Sequence, residues 1–166
     1  YREQDNTCPD NTYLFPVSPA NERQASRIFR EMSHGAPKHT HHLHIKRRTL
    51  NIQAAGGVAW CDFGDLCEQP LGAGDFAAIA EKFHTVFLIN VPVLQSTRRN
   101  EAKRFMTLID VLYDHNIRLV ITAQTDPDHI YTGQDHAFEF QRTISRLKEM
   151  TSQDYFKTAH KRTIHP

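Results

Sequence analysis

Residues 84–150 read HTVFLINVPVLQSTRRNEAKRFMTLIDVLYDHNIRLVITAQTDPDHIYTGQDHAFEFQRTISRLKEM, and the fold follows from this stretch. Two apolar, β-branched runs, Val86 to Leu94 and Ile117 to Thr122, flank one strongly periodic segment, Asn100 to Asn116. In that segment Ala102, Phe105, Met106, Leu108, Ile109, Leu112 and Tyr113 recur at the three-and-four spacing of a helix face, and Asn100 is placed to cap its start. The pattern predicts strand, helix, strand. Neither strand alternates apolar with polar residues, so both are expected to be covered on both faces in a mainly parallel sheet, with a right-handed crossover. After the second strand, Asp126-Pro127-Asp128 marks a turn. A last helix over Phe138 to Met150 puts Phe140, Ile144 and Leu147 on one face and Arg142 and Arg146, one turn apart, on another.

Working outward, Asn21 is expected to cap a helix running to Met32, with Ala25, Ile28, Phe29 and Met32 on its inner face, closed by His34-Gly35-Ala36-Pro37. Before it, residues 1–20 are polar and interrupted by Pro9, Pro16 and Pro19, as in a linker or a strand with a loop. Leu43 to Ile52 and Val58 to Phe63, joined across Gly56-Gly57, read as a strand pair. Asp75 to Phe83 reads as a short helix burying Phe76, Ile79, Ala80 and Phe83. The fold class is α/β: a small mixed, mainly parallel sheet with flanking helices. The expected divisions are an N-terminal linker and helix over 1–42, an α/β lobe over 43–156 and a tail over 157–166.

Composition bounds the function. Hydrophobic content of 39%, charged content of 23% and a net charge of +1 fit a soluble globular chain and give no electrostatic case for nucleic acid or membrane. No run approaches the roughly eighteen apolar residues of a spanning helix. Cys8, Cys61 and Cys67 are odd in number and form no CxxC pair, which signals neither a disulfide framework nor a zinc ribbon and suits a reducing cytoplasm. The chain opens on Tyr1 and reads as a piece of a longer protein.

Several clusters carry chemistry, each with a plainer reading beside it. The seven glycines form neither G-x-x-x-x-G-K-[ST] nor G-x-G-x-x-G, so the chain is expected to lack a phosphate loop of its own. Val86-Phe87-Leu88-Ile89 ends in Asn90, where a magnesium-holding strand would place a carboxylate. Alone, the chain is expected not to hydrolyse a nucleotide. His39, His41, His42 and His44, with Lys46, Arg47 and Arg48, form the densest polar group; His42 and His44 would share one strand face as a zinc pair, but no carboxylate or cysteine sits near, which favours a solvated basic strand and no metal. Arg98, Arg99, Lys103 and Arg104 oppose the dipole of the central helix, which calls for an anionic partner, either phosphate or carboxylates such as Asp110 and Asp114 on neighbouring turns. Arg142 and Arg146 could meet a nucleotide phosphate or pair with Glu139, Glu149 and Asp135. Asp110 and Asp114, four apart, have the spacing of an acid–base pair, but ion pairing with Arg118 and Lys103 is the simpler assignment. Cys61 and Cys67 lack the local signature of a cysteine nucleophile.

The string RRNEAKRFMTLIDVLYDHNIRLVITA, followed by FEFQRTISRLKEMTSQDY, resembles the C-terminal part of the ZapE/AFG family of P-loop ATPases. The likeness also covers Arg48-Thr49-Leu50 and the run from Phe63 to Phe76, extends over roughly 43–156, and includes an opening Tyr1-Arg2 similar to the family's segment after the ATPase core. The chain departs from the family's Lys-Gly-Arg or Gly-Arg at Arg47-Arg48. The resemblance implies an AAA+-like ATP hydrolase whose phosphate loop, magnesium ligands and polar sensor lie upstream of Tyr1, with ATP and Mg bound by the full-length parent and no cofactor by this chain alone. This chain would then be the post-core lobe of a P-loop ATPase, in which Arg142, Arg146 and Arg104 are the candidate nucleotide-sensing residues, with none singled out. Arginine suits the role because its planar fork stays charged and meets phosphate oxygens bidentately. The resemblance further implies a homo-oligomeric parent, cytoplasmic or peripheral to an inner membrane, that couples ATP turnover to a protein partner in cell division or protein quality control, a division-ring protein being one candidate. The alternative is a stand-alone α/β interaction module without nucleotide, binding protein through Trp60 and Phe63. Anion or nucleic-acid binding by the Arg98 to Arg104 cluster is a third, without a specific nucleic-acid partner.

Overall fold

A computed structural model describes residues 11–155 of the chain. In chain order the elements are β1 (Tyr13–Leu14), α1 (Pro19–Met32), β2 (His39–Ile45), β3 (Arg48–Ala55), β4 (Val58–Asp62), α2 (Phe63–Cys67), α3 (Ala73–Lys82), β5 (Thr85–Val91), α4 (Arg99–Asp114), β6 (Arg118–Ala123) and α5 (Ala137–Met150). The six strands form one sheet in the order β1-β6-β5-β4-β3-β2. The pairs β1/β6, β6/β5 and β5/β4 are parallel, while β4/β3 and β3/β2 are antiparallel. The fold is therefore the mixed, mainly parallel α/β class that the two unbroken apolar runs predict.

Alternation along the central strands divides the core into two layers, because successive side chains leave a strand on opposite faces. Val86, Leu88, Leu119 and Ile121 join Phe63, Phe76, Phe105, Leu108, Leu112 and Phe140 in the larger layer beneath α2 to α5. Phe87, Ile89 and Val120 join Ile28, Phe29 and Met32 of α1 on the other side. All six residues of β6 are buried, which explains why that strand shows no polar alternation.

The structure corrects several local expectations. Leu43 to Ile52 is not one strand: the chain reverses at Lys46-Arg47, so that Ile45 pairs with Arg48 and His39 with Ala54. Lys46 adopts φ +54°, the left-handed conformation in which glycine is ordinarily favoured. Helix α1 starts two residues before Asn21, because Ser18 accepts from the Asn21 amide and Pro19 suits the first turn. Helix α4 begins at Arg99 without a side-chain cap, so Asn100 lies inside it. The short helix α2 has no counterpart among the sequence expectations; its five residues are too few to show a period, and Asp62 caps it through the Gly64 amide at 3.1 Å.

The boundary expected at 42/43 falls inside β2, and residues 13–32 belong to the same sheet assembly as the rest. Thr12 Oγ1 donates to the Leu119 carbonyl at 2.6 Å, and the Ile121 amide donates to the Thr12 carbonyl at 2.8 Å, fixing β1 along the edge of β6. The expected tail over 157–166, Tyr1-Arg2 and Cys8 lie outside the described residues. Among the described residues no helix is long and apolar enough to cross a membrane.

Candidate functional site

Helices α4 and α5 lie side by side and run in the same direction. Arg99 meets Asp135 just ahead of α5 at 2.8 Å, Asp110 meets Arg142 and Arg146 midway, and Tyr113 donates to Glu149 Oε1 at 3.0 Å near both C-termini. Beneath this polar seam Phe105 and Phe140 stack with centroids 6.1 Å apart, and Tyr131 stacks on Phe140 at 4.3 Å. The apolar stripes read from the sequence are what bring the two helices into contact.

Asp110 is the hinge of the site. Its Oδ2 accepts from Arg142 Nη2 at 3.3 Å and its Oδ1 accepts from Arg146 Nη1, so one carboxylate serves two guanidinium groups. Arg146 is held on a second side, with its guanidinium 4.6 Å from the centroid of the Tyr113 ring. Its side chain is 23% exposed, against 59% for Arg142. The hydrogen bond to Glu149, reinforced by that carboxylate's charge, raises the Tyr113 hydroxyl above its ordinary value. The three charges sum to one net positive charge, carried most accessibly by Arg142, whose remaining donors can meet an anion without breaking the Arg146 contact.

The sequence expectation for these arginines needs correcting on the partner. Neither Glu139 nor Asp135 holds them; the parallel packing of α4 on α5 places Asp110 between them instead, and no spacing within one helix reveals a contact between two. Asp110 likewise does not pair with Arg118 or Lys103. Arg118 is buried at the start of β6 and donates to Thr85 Oγ1 at 3.1 Å.

The basic start of α4 is also met largely from within. Arg98 pairs with Glu68 at 3.1 Å, Arg99 takes Asp135, and Arg104 Nη1 donates to the Cys67 carbonyl at 3.0 Å, tying α4 to the end of α2. The anionic partner that the cluster called for is thus, for Arg98 and Arg99, a carboxylate of the same chain.

At the carboxyl ends of the parallel strands, Asn90 takes φ +67° at the irregularity between Leu88 and Val91. Its amide donates to Thr122 Oγ1 at 2.8 Å, and its side chain donates to Asp62 Oδ1 at 3.3 Å. Asp62 is the capping residue of α2, so both of its oxygens are engaged within the chain.

The sequence profile of AFG1-like ATPases matches residues 1–159. The chain belongs to the AFG1-like ATPase family. Its curated relatives include "Cell division protein ZapE" of Escherichia coli K12, 32% identical over 89% of this chain, and "Lactation elevated protein 1 homolog B" of Danio rerio, 31% identical over 94%. "Uncharacterized protein C115.02c" of Schizosaccharomyces pombe is 25% identical over 88%. The match covers 40%, 38% and 39% of these relatives respectively, so this AFG1-like chain spans about two fifths of their length. No solved structure matches it.

Within this AFG1-like chain, the candidate protein-binding pair Trp60 and Phe63 does not form one surface. Phe63 is 2% exposed and packs toward Phe105 in the larger core layer. Trp60, two strand positions and a helix start away, faces the α1 side, stacked on Phe87 at 5.6 Å and edge-on to Phe29 at 5.4 Å. Its outer face carries Lys38 Nζ 4.5 Å from the ring centroid. An odd spacing along a strand sends the two side chains to opposite faces, and the start of α2 then turns Phe63 fully inward.

His42 and His44 do project together, as an extended strand requires, but each meets a neighbour on β3: Asn51 Oδ1 at 2.6 Å and Thr49 Oγ1 at 3.1 Å. Among the described residues no three His, Cys, Asp or Glu side chains converge to hold a metal. Cys61 and Cys67 are free and buried; burial pushes the Cys61 thiol up to about 12 and raises the Cys67 thiol as well, which disfavours the reactive thiolate at both.

Proposed function

We propose that this chain is the C-terminal lobe of an AFG1-like ATPase, in which ATP binding and hydrolysis at a core elsewhere in a longer protein alter contacts with a partner protein. The observation that carries the reading is the α4–α5 seam: Arg142 and Arg146 share Asp110, and Arg142 presents a largely exposed guanidinium beside that shared carboxylate. An incoming phosphate can recruit Arg142 while Arg146 and Asp110 keep the two helices in register, so nucleotide state would be read as a change at this seam.

The groups present suit only one part of ATP chemistry. They supply guanidinium donors for phosphate oxygens, and among the described residues no three His, Cys, Asp or Glu side chains converge to hold a metal. ATP and Mg would therefore be held by the remainder of the longer protein. Arg104 is a weaker sensing candidate than the α5 pair, because its guanidinium is tied to the Cys67 carbonyl. A relative named for cell division supports a role in that process. A cytoplasmic setting, a division-ring partner, homo-oligomerisation and peripheral membrane contact belong to the same proposal for the longer protein.

The test is ATP turnover by the longer protein carrying Arg142→Ala or Arg146→Ala. Turnover is expected to fall about tenfold or more, the scale of a lost charge-stabilising contact, with circular dichroism unchanged. Wild-type turnover in both variants would remove the sensing role. The alternative, a nucleotide-free interaction module, predicts that ATP leaves the amide spectrum of the longer protein's lobe unaltered.

A further inference from the structure

The molecule is electrically lopsided in a way its net charge conceals. Residues 32–61 hold four of the twenty Lys and Arg, five of the eleven His and none of the nineteen Asp and Glu, leaving sixteen cations against nineteen carboxylates in the rest of the chain. All four of these cations and four of the five histidines lie on or beside β2 and β3, the outer hairpin of the sheet. Lys38 precedes β2, and Lys46, Arg47 and Arg48 form the turn between the two strands and its exit.

β2 is an open edge. It pairs with β3 over seven consecutive residues without a bulge or a proline, and among the described residues no strand or backbone group pairs with its other side. Every second residue of such a strand turns its N–H and C=O outward. Edges of this length are commonly blunted, because they invite pairing by another chain. Among the described residues the device set against pairing is positive charge at the two ends of the strand, Lys38 and Lys46, which repels one class of partner and attracts another.

The turn adds a receptacle. A hollow of about 440 Å³ opens between the hairpin tip and the start of α3, lined by Ile45, Lys46, Arg47, Arg48, Gly74 and Asp75. Asp75 is its one carboxylate, and it is already engaged, accepting from the Gly72 amide at 2.8 Å and lying 3.7 Å from Arg48. Arg48 also donates to the Pro70 carbonyl at 3.2 Å. Lys46 and Arg47 are exposed and have no ion pair among the described residues. The backbone of Lys46 is held in the left-handed region, where a lysine is uncommon, a local cost of the kind that persists where a surrounding structure or a ligand requires it.

We infer that β2 is a docking strand for an extended acidic peptide segment of a partner protein, which adds a seventh strand to the sheet and seats an acidic side chain beside Lys46 and Arg47. Backbone pairing supplies the affinity and the cationic ends supply the selection. A second copy of this chain is the wrong occupant, since β2 against β2 would bring two acid-free hairpins together. Nucleic acid is less suited, because β2 and β3 carry no Phe, Tyr or Trp and the β2 histidine rings are already engaged. His42 and His44 are held by Asn51 and Thr49, while His39 lies edge-on to His41 and His41 edge-on to Phe83. The inference does not rest on the ATPase reading: docking is expected of the 166-residue chain without nucleotide, so either can fail while the other stands.

The experiment titrates the 15N-labelled chain into an eight-residue fluorescein-labelled peptide of alternating Glu and Val. A second peptide of the same sequence is N-methylated at alternate residues to remove its strand donors. The expected result is saturable binding with amide shifts centred on residues 39–45, weakened at least tenfold by N-methylation and by Lys46→Glu with Arg47→Glu. Reversing Arg23, Arg27 and Arg30 on the outer side of α1 should leave it unchanged. The two peptides can be compared without any protein variant, so a variant that fails to fold does not remove the test. Equal binding of the N-methylated peptide would mean charge without strand addition and would overturn the inference. So would shifts centred on α1, no saturation, tighter binding of single-stranded DNA or phosphatidylserine vesicles at the same salt, or a dimer in sedimentation velocity that the double variant abolishes.

Discussion

Arg142 and Arg146 differ by one helical turn in the sequence and by much more in their surroundings. Both reach Asp110, but Arg146 is the more enclosed and also lies over Tyr113, whereas Arg142 is mostly in water. Exposed ion pairs contribute little, and a partly desolvated guanidinium on an aromatic face contributes more. Arg142→Ala is therefore expected to cost less than about 0.5 kcal/mol in urea denaturation, and Arg146→Ala about 1 to 2 kcal/mol. Equal costs would mean that Asp110 holds the two alike. The same asymmetry makes Arg142 the better residue for answering a ligand and Arg146 the better one for keeping α4 against α5.

At the scale of the element, α4 is the segment on which sequence and structure agree most closely. Of the seven residues on the expected face, Ala102, Phe105, Met106, Leu108, Ile109 and Leu112 are buried, while Tyr113 is only half-buried because its ring lies at the polar seam with Arg146 and Glu149. Leu108 and Leu112 are fully enclosed, so replacing either with Ala should leave a cavity and lower stability by about 2 to 5 kcal/mol. An unchanged melting temperature would mean that this face is not packed as described. The elements that the sequence did not disclose are those with too few residues to show a period: α2 with five and the two-residue turn that splits Leu43 to Ile52; β1, with two, is legible only as one alternative, a strand with a loop within 1–20. Histidines at 39, 41, 42 and 44 and a lysine in place of a turn-forming glycine hid that turn.

For the whole molecule, the two edges of the sheet behave differently. β1 covers β6, a strand buried along its entire length, with only two paired residues and the Tyr13 hydroxyl donating to the Thr125 carbonyl at 2.7 Å. A chain starting at residue 19 would leave the edge of β6 bare. We expect it to lose more than about 3 kcal/mol, from the burial of Tyr13 and the lost edge hydrogen bonds, and to self-associate in light scattering as uncovered apolar edges do. A monomer with the parent's melting temperature would show that β1 is dispensable.

The sequence by itself determined the parallel core, the helix faces that cover it and the family to which the chain belongs. These depend on periodicity and on strings of neighbouring residues, which survive in one dimension. Only the tertiary structure decided that Asp110 is shared by two arginines, that Arg98 and Arg99 find carboxylates at Glu68 and Asp135, that Phe63 lies inside while Trp60 faces the other layer, and that the acid-free hairpin ends the sheet. Each of these is a meeting between elements far apart along the chain, and such meetings are set by how the helices and strands pack rather than by any spacing within one of them.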